Sequence, residues 1–222
     1  MLQLTDAQGD ALADDLAAAA GLILIDKSNP PPFAREILNT GFDVAGLVVQ
    51  LATGGRTTAR ALKEDSAQTV FNLIFLPNWH GTTRLCAVRH ELAHWRDWIK
   101  WGWNGAAADK VFQPAPVEYI VNRNGAAFME GHGYGYQGEL MVHALGATRD
   151  EMAAFLAWMR DAELPTYGLA PAQCADAASV ADAIITGALA GAAPSADTQT
   201  VLDAMKRRGI ATPHAPSAPS AR

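Results

Sequence analysis

Residues 84–101 constrain this chain more than any other segment, because their side chains sort onto three faces when the segment is wound as an α-helix. His90 and His94 lie one turn apart on one face, which Asp97 and Trp101 continue. An apolar face opposite is predicted to contact a core, and it consists of Leu85, Val88, Leu92, Trp95 and Ile99. A third face is predicted to be solvated, and it consists of Arg89, Arg96 and Lys100. The pattern predicts a helix that packs on one side and presents two histidines on another.

The two histidines belong to the pentapeptide His90-Glu91-Leu92-Ala93-His94, which has the form HExxH. Two imidazoles one turn apart can converge on one tetrahedral zinc ion. Glu91 lies about 100° around the helix from His90, beside such an ion rather than on it. Zinc lowers the pKa of a bound water to about 7, and Glu91 can accept a proton from that water and return it to a leaving group. The pattern predicts one zinc ion and hydrolysis with Glu91 as general base.

Residues 69–76, with the sequence TVFNLIFL, are rich in β-forming side chains and end at Pro77, which predicts a strand just before the helix. A strand followed by a helix that bears HELAH resembles the zincin metallopeptidases. The resemblance implies an α+β, helix-dominated domain with a small sheet. It also implies that residues 70–76 form a strand at the edge of the active site, where an extended peptide or protein substrate pairs with it.

A catalytic zinc site needs a third protein ligand, and no third histidine follows His94 at the HExxHxxGxxH spacing. Residues 123–134, with the sequence RNGAAFMEGHGY, resemble the downstream glutamate helix of the gluzincin group and of uncharacterised bacterial HExxH metallopeptidases. The matching positions are Arg123 and residues 130–133, so the resemblance implies Glu130 as the third ligand. The alternatives that stay open are His132, Glu139, Glu118 and His143.

The segment that follows Glu130 is rich in glycine, at positions 131, 133, 135 and 138, and glycine is a poor helix former. Either neighbouring helices pack so closely that only glycine fits, or the stretch is a loop. On a helix, Tyr134 would follow Glu130 on one face and could donate a hydrogen bond to a developing oxyanion. Asp97 either orients a ligand imidazole or pairs with Lys100. Cys86, one turn before His90, is interpreted as a buried structural thiol.

Composition bounds the partners and the setting. The formal net charge of -6 argues against a nucleic-acid partner. The sequence contains no uninterrupted run of about 18 apolar residues, so no membrane span is predicted. The N-terminus does not have the form of a secretory signal, and two cysteines are too few for a disulfide framework. We therefore expect a cytoplasmic protein by default, although a secretion route that needs no cleaved signal is compatible with the sequence.

The chain is predicted to divide into four parts. Residues 1–32 form an N-terminal helix and linker, and residues 33–164 form the zincin-like domain. Ala-rich helices over residues 165–210 pack on that domain, and residues 211–222, composed mostly of Pro, Ser and Ala, form a disordered tail. Two other functions remain open. One is a non-catalytic helical interaction protein with a vestigial or accidental HExxH, and the other is a zinc amidase that acts on a non-protein amide such as a cell-wall linkage.

Overall fold

A computed structural model describes residues 1–36, 66–70, 72–97, 99 and 123–213. The helices are α1 (Asp6–Ala19), α2 (Pro32–Glu36), α3 (Gly81–Asp97), α4 (Arg123–His143), α5 (Arg149–Trp158), α6 (Pro171–Leu189) and α7 (Ala196–Arg207). The strands are β1 (Ile23–Asp26), β2 (Gln68–Val70) and β3 (Leu73–Leu76). Several features of the sequence lie outside the described residues: Glu118, Lys100, Trp98, Trp101, Trp103 and the tail beyond residue 213. The prediction of a helix-dominated α+β chain with a small sheet is confirmed.

The sheet has the strand order β1-β3-β2 among the described strands. The central strand β3 runs parallel to β1 and antiparallel to β2, with Val70 opposite Leu73. The prediction of one strand over residues 69–76 is therefore wrong, because the chain reverses between these two residues. The same pairing corrects the expectation that residues 70–76 edge the sheet. β3 is flanked by a strand on each side and its four side chains are buried, so β1 and β2 are the two edge strands of the described sheet, and β2 is the one that contacts Glu91.

The helix that carries the histidines, α3, packs against α1. The sequence spacing of Thr5 and Gln8 predicts a capping box at the start of α1, and this prediction is confirmed, since each of the two side chains accepts the other residue's backbone N–H. The core behind α3 also includes side chains from α4 and α7, and its fully buried members include Leu12, Leu16, Leu85, Val88, Leu92, Leu140, Leu145 and Val201. The apolar face predicted for α3 is confirmed as far as Trp95, which packs against this core. Ile99 lies beyond the end of the helix and is 39% exposed, so its predicted burial is wrong.

The glycine-rich stretch is helical, and its glycines mark close packing rather than a loop. A Cβ atom on Gly131 would lie 2.7 Å from the carbonyl oxygen of Ala177 in α6. Cβ atoms on Gly135 and Gly138 would lie 2.6 and 2.5 Å from isoleucine side chains of the same helix. Real Cβ atoms do not approach so closely, so the backbones of α4 and α6 can meet only because these positions carry no side chain. The first of the two interpretations of these glycines is thus confirmed.

Arg89 is fully buried, so its predicted place on a solvated face is wrong. Its Nη2 atom lies 3.4 Å from Oε2 of Glu139 in α4. The same carboxylate accepts hydrogen bonds from the hydroxyls of Ser195 (2.7 Å) and Thr198 (2.8 Å), at the start of α7. A buried arginine is retained only when its charge is paired, and Glu139 supplies that pair. Arg96, one of the other two members of the predicted face, is half-exposed.

The C-terminal helices lie close to the predictions, with α6 at Pro171–Leu189 and α7 at Ala196–Arg207. The sequence predicts an Ala-rich helix over residues 149–162, whereas α5 ends at Trp158. The chain continues as a π-helical turn, Met159–Glu163, and a 3₁₀ turn, Leu164–Tyr167. Both cysteines are buried free thiols, and burial raises the pKa of Cys86 to about 12, as suits a structural thiol. None of the described helices has both the length and the apolar character that crossing a bilayer requires.

Candidate metal centre

His90 and His94 occupy successive turns of α3 and turn the same ring atom toward each other. Their Nε2 atoms are 2.9 Å apart, and both rings are largely buried, with 9% and 13% of the side chains exposed. The helical spacing brings the rings together, and the apolar face of α3, which fixes how the helix packs, turns both of them toward α4. Two buried imidazoles with facing nitrogens make a site for a cation that binds nitrogen ligands.

Glu130 lies against this pair, as the sequence predicted. Its carboxylate oxygens are 3.3 Å from Nε2 of His90 and 3.7 Å from Nε2 of His94, and its side chain is almost fully buried. Ligand atoms about 2.1 Å from a tetrahedral zinc are separated from one another by about 3.4 Å. The separations are 2.9 Å between the two Nε2 atoms, 3.3 Å from His90 to Oε2 of Glu130 and 3.7 Å from His94 to its Oε1, and they lie on either side of that length. The donor set of two imidazoles and one carboxylate therefore fits zinc in chemistry and in spacing.

A second carboxylate, that of Glu91, also lies near the two rings, with one oxygen within 4.8 Å of a nitrogen of each. Its Oε2 atom is 2.7 Å from the hydroxyl of Thr69 in β2. Glu130 matches a ligand better than Glu91 does, because both Nε2 atoms lie at tetrahedral separations from its carboxylate. Glu91 is hydrogen-bonded to Thr69 of the sheet and lies beside the three proposed ligands. This is the position at which the helical geometry predicts a general base.

The site is electrostatically negative around a buried imidazole. Burial lowers the pKa of His90, but the hydrogen bond and the negative charge of Glu130 raise it, with smaller contributions from Glu91 and Glu163, and the net shift is upward. Acidic groups therefore stabilise a positive charge at this position more than burial opposes it. A metal cation satisfies the same requirement.

Tyr134 lies one turn beyond Glu130, and its ring contacts that of His90 with the ring centres 4.4 Å apart. Its hydroxyl is 3.3 Å from that of Tyr167, which in turn donates to Glu163 at 3.3 Å. Because the hydroxyl proton of Tyr167 is donated to Glu163, the hydroxyl of Tyr134 must be the donor in its hydrogen bond with Tyr167. Burial, followed by nearby negative charges, raises the pKa of both phenols well above the usual value, so both stay protonated. A role for Tyr134 at an oxyanion stays a prediction, and its hydroxyl would first have to leave Tyr167.

The alternative third ligands lie elsewhere or are engaged elsewhere. His132 contacts Asp97 near the end of α3, with its Nδ1 atom 2.9 Å from the carboxylate. Asp97 thus contacts His132, and its predicted pairing with Lys100 lies outside the described residues. Glu139 pairs with Arg89. His143 lies 13 residues beyond Glu130, or about 20 Å along the helix axis, while Glu118 is outside the part of the chain that the structure describes.

Three residues of the site were missed by reasoning from sequence: Thr69, Glu163 and Tyr167. A threonine in a strand is ordinary, and nothing in its spacing from Glu91 indicates a contact. Glu163 and Tyr167 lie on the short π and 3₁₀ turns after α5, and Tyr167 follows Glu163 by four residues, one helical turn. A π-helical turn often occurs at a functional site, but it is not visible in the sequence.

Gly133 is the position where a small change is expected to disturb the site. A Cβ atom there would lie 2.6–2.9 Å from three atoms of the His90 ring. We expect Gly133→Ala to displace that ring and to weaken zinc binding about tenfold or more, measured by competition with a chromophoric chelator. The matched control is Gly187→Ala in α6, where the new Cβ would meet only Ala192, at 3.9 Å. The control should leave zinc affinity unchanged and raise the free energy of unfolding by up to about 1 kcal/mol. Equal zinc affinity in both variants would contradict the close approach of α4 to His90.

No family model matches this chain, and no curated protein or solved structure is significantly similar to it.

Proposed function

We propose that this protein is a zinc-dependent hydrolase of zincin-like fold, a metallopeptidase that cleaves peptide bonds with zinc-activated water. The observation that carries the proposal is the convergence of three buried donors from two helices, His90 and His94 on α3 and Glu130 on α4. These residues come from segments about 40 positions apart, and their separations suit one tetrahedral ion.

The proposed chemistry divides between the ion and the chain. A bound zinc ion polarises the scissile carbonyl and lowers the pKa of water. Glu91 accepts a proton from the attacking water and transfers it to the leaving amine, while the third ligand is Glu130, whose oxygens lie 3.3 and 3.7 Å from the two Nε2 atoms. His90, His94 and Glu130 would hold the ion. The packing of α3 against α4 buries His90 and Glu130 and so shields them from bulk water.

The position of β2 supports a peptide as the substrate. This strand lies at the end of the described sheet and contacts the general base through Thr69. A strand at the end of a sheet can pair with an extended peptide through backbone hydrogen bonds, which places the scissile bond by its main chain rather than by its sequence. The adjacency of β2 and Glu91 favours a peptide bond over a non-protein amide.

Metal removal tests the proposal. We expect the purified protein to contain one zinc ion per chain and to hydrolyse fluorescein-labelled casein. The chelator 1,10-phenanthroline should abolish hydrolysis, and added Zn²⁺ should restore it. Mg²⁺ and Ca²⁺ serve as controls and should not restore activity, because they prefer oxygen ligands. A protein without stoichiometric zinc would contradict the site, whereas a zinc protein that leaves casein intact but cleaves a cell-wall amide would assign the site to an amidase.

A further inference from the structure

The hydroxyl of Thr69, on β2, contacts the predicted general base Glu91, which lies on α3. Thr69 is the middle residue of β2 and is paired with Ile74 of the central strand. Its Oγ1 atom lies 2.7 Å from Oε2 of Glu91 and 3.1 Å from the backbone carbonyl oxygen of the same residue. The short strand β2, paired with the central strand, thus contacts the carboxylate of Glu91. The proposed chemistry depends on the orientation of this carboxylate.

A threonine hydroxyl has one proton, so the two oxygens of Glu91 compete for it. The carbonyl oxygen lies inside α3, where the amide N–H one turn later is its ordinary donor. The carboxylate oxygen is closer and negatively charged, and charge-assisted O–H···O⁻ bonds are the shorter and stronger kind. The proton therefore goes to Oε2. This bond holds Oε2 toward the sheet and thereby fixes the orientation of a carboxylate that has one oxygen within 4.8 Å of the two imidazoles.

On this geometry we infer that Thr69 is a positioning residue for hydrolysis, which fixes the carboxylate of Glu91 in the orientation that accepts the proton of the attacking water. The inference rests on the proposed function. It assigns to Thr69 no contact with the metal or with the substrate, so its removal should affect the chemical step and should spare metal binding. A purely structural hydroxyl, which only ties β2 to α3, would affect stability instead.

Thr69→Val keeps the shape of the side chain and removes the hydroxyl, and Thr69→Ser keeps the hydroxyl. We expect Thr69→Val to retain one zinc ion per chain and a KM for labelled casein within about twofold of the wild type, while kcat falls roughly 10- to 100-fold, the effect of one hydrogen bond to a charged group. Thr69→Ser should restore kcat to within about threefold of the wild type. If Thr69→Val does not fold, Thr69→Cys, which has similar size and donates weakly, should show the same loss.

A second measurement does not depend on turnover. Acetohydroxamic acid loses its O–H proton when it chelates zinc, and an oriented Glu91 carboxylate can accept that proton. Its affinity, measured by calorimetry, should fall with Thr69→Val in step with kcat and recover with Thr69→Ser. A wild type that binds zinc and cleaves casein, together with a Thr69→Val protein of unchanged kcat and unchanged acetohydroxamate affinity, would overturn the role of Thr69 alone. A wild type without zinc or without hydrolysis would overturn the proposed function and this inference with it.

Discussion

Glu91→Gln is expected to leave one zinc ion bound per chain and to lower kcat for labelled casein by roughly 10²- to 10⁴-fold, the usual contribution of a positioned general base. Glutamine has the size of glutamate and can still accept a hydrogen bond from Thr69, but its amide oxygen does not accept a proton at neutral pH. Because Glu130 rather than Glu91 supplies the third ligand in the proposed site, the metal should be retained. The measurements are zinc content by atomic absorption and initial rates over a range of casein concentrations.

The control for Glu91→Gln is Asp97→Asn, on the same helix. The two residues are equally buried, with 6% of each exposed, and each substitution removes one negative charge from α3. The carboxylate of Asp97 contacts His132 rather than the predicted ligands, so Asp97→Asn is expected to retain both zinc and hydrolysis even if stability declines. A Glu91→Gln protein with wild-type kcat, or equal losses in both variants, would show that Glu91 is not the base.

Glu130→Gln is expected to weaken zinc binding by more than the roughly 100-fold upper limit typical of residues that only support a ligand. The substitution replaces an anionic ligand by a neutral amide while it keeps the volume of a side chain that is packed between α3 and α4. Two imidazoles alone would remain, and three protein ligands are the usual number at a catalytic zinc. Competition against a chromophoric chelator measures the change in affinity.

His132→Ala is the matched comparison for Glu130→Gln, because the sequence leaves both residues open as the third ligand. His132 lies two residues further along α4 and contacts Asp97, so its removal should leave zinc affinity within a few-fold of the wild type. The reverse result, loss of zinc with His132→Ala and retention with Glu130→Gln, would assign the third ligand to His132 and would require α4 to rotate from the arrangement described above.

The sequence was sufficient for those features that depend on one helix at a time. The spacing of His90 and His94 and the apolar face of α3 follow from 3.6 residues per turn, as does the cap at Thr5. The position of Glu130 depends on how two distant helices pack, and it was accessible only through a resemblance. The glycines of α4 left two interpretations open, because the atoms that exclude a Cβ atom belong to distant segments: α6, about 50 residues later, and, at Gly133, the His90 ring of α3.

The errors have the same origin. On a helical wheel Arg89 falls on the charged face, and its burial depends on Glu139, which is 50 positions away. Composition predicts one strand before α3 because most of residues 69–76 favour β structure. Asn72, a residue type common in turns, lies between the paired residues Val70 and Leu73 and is the sequence signal for the reversal. Thr69 contacts Glu91 across 22 positions, through a pairing that no local pattern encodes.

The buried ion pair between Arg89 and Glu139 has a consequence for how this chain acquires its order. Ser195, which hydrogen-bonds both partners, is separated by 106 positions from Arg89 and by 56 from Glu139. Until the start of α7 docks, the two charges lack the hydroxyls that help to compensate their burial, and such burial is costly. Contacts across such sequence separations slow folding and join distant segments into one cooperative unit. The helices that carry the histidines and Glu130 should therefore unfold together with the C-terminal helix, and a fragment that ends before Ser195 should not retain an ordered centre.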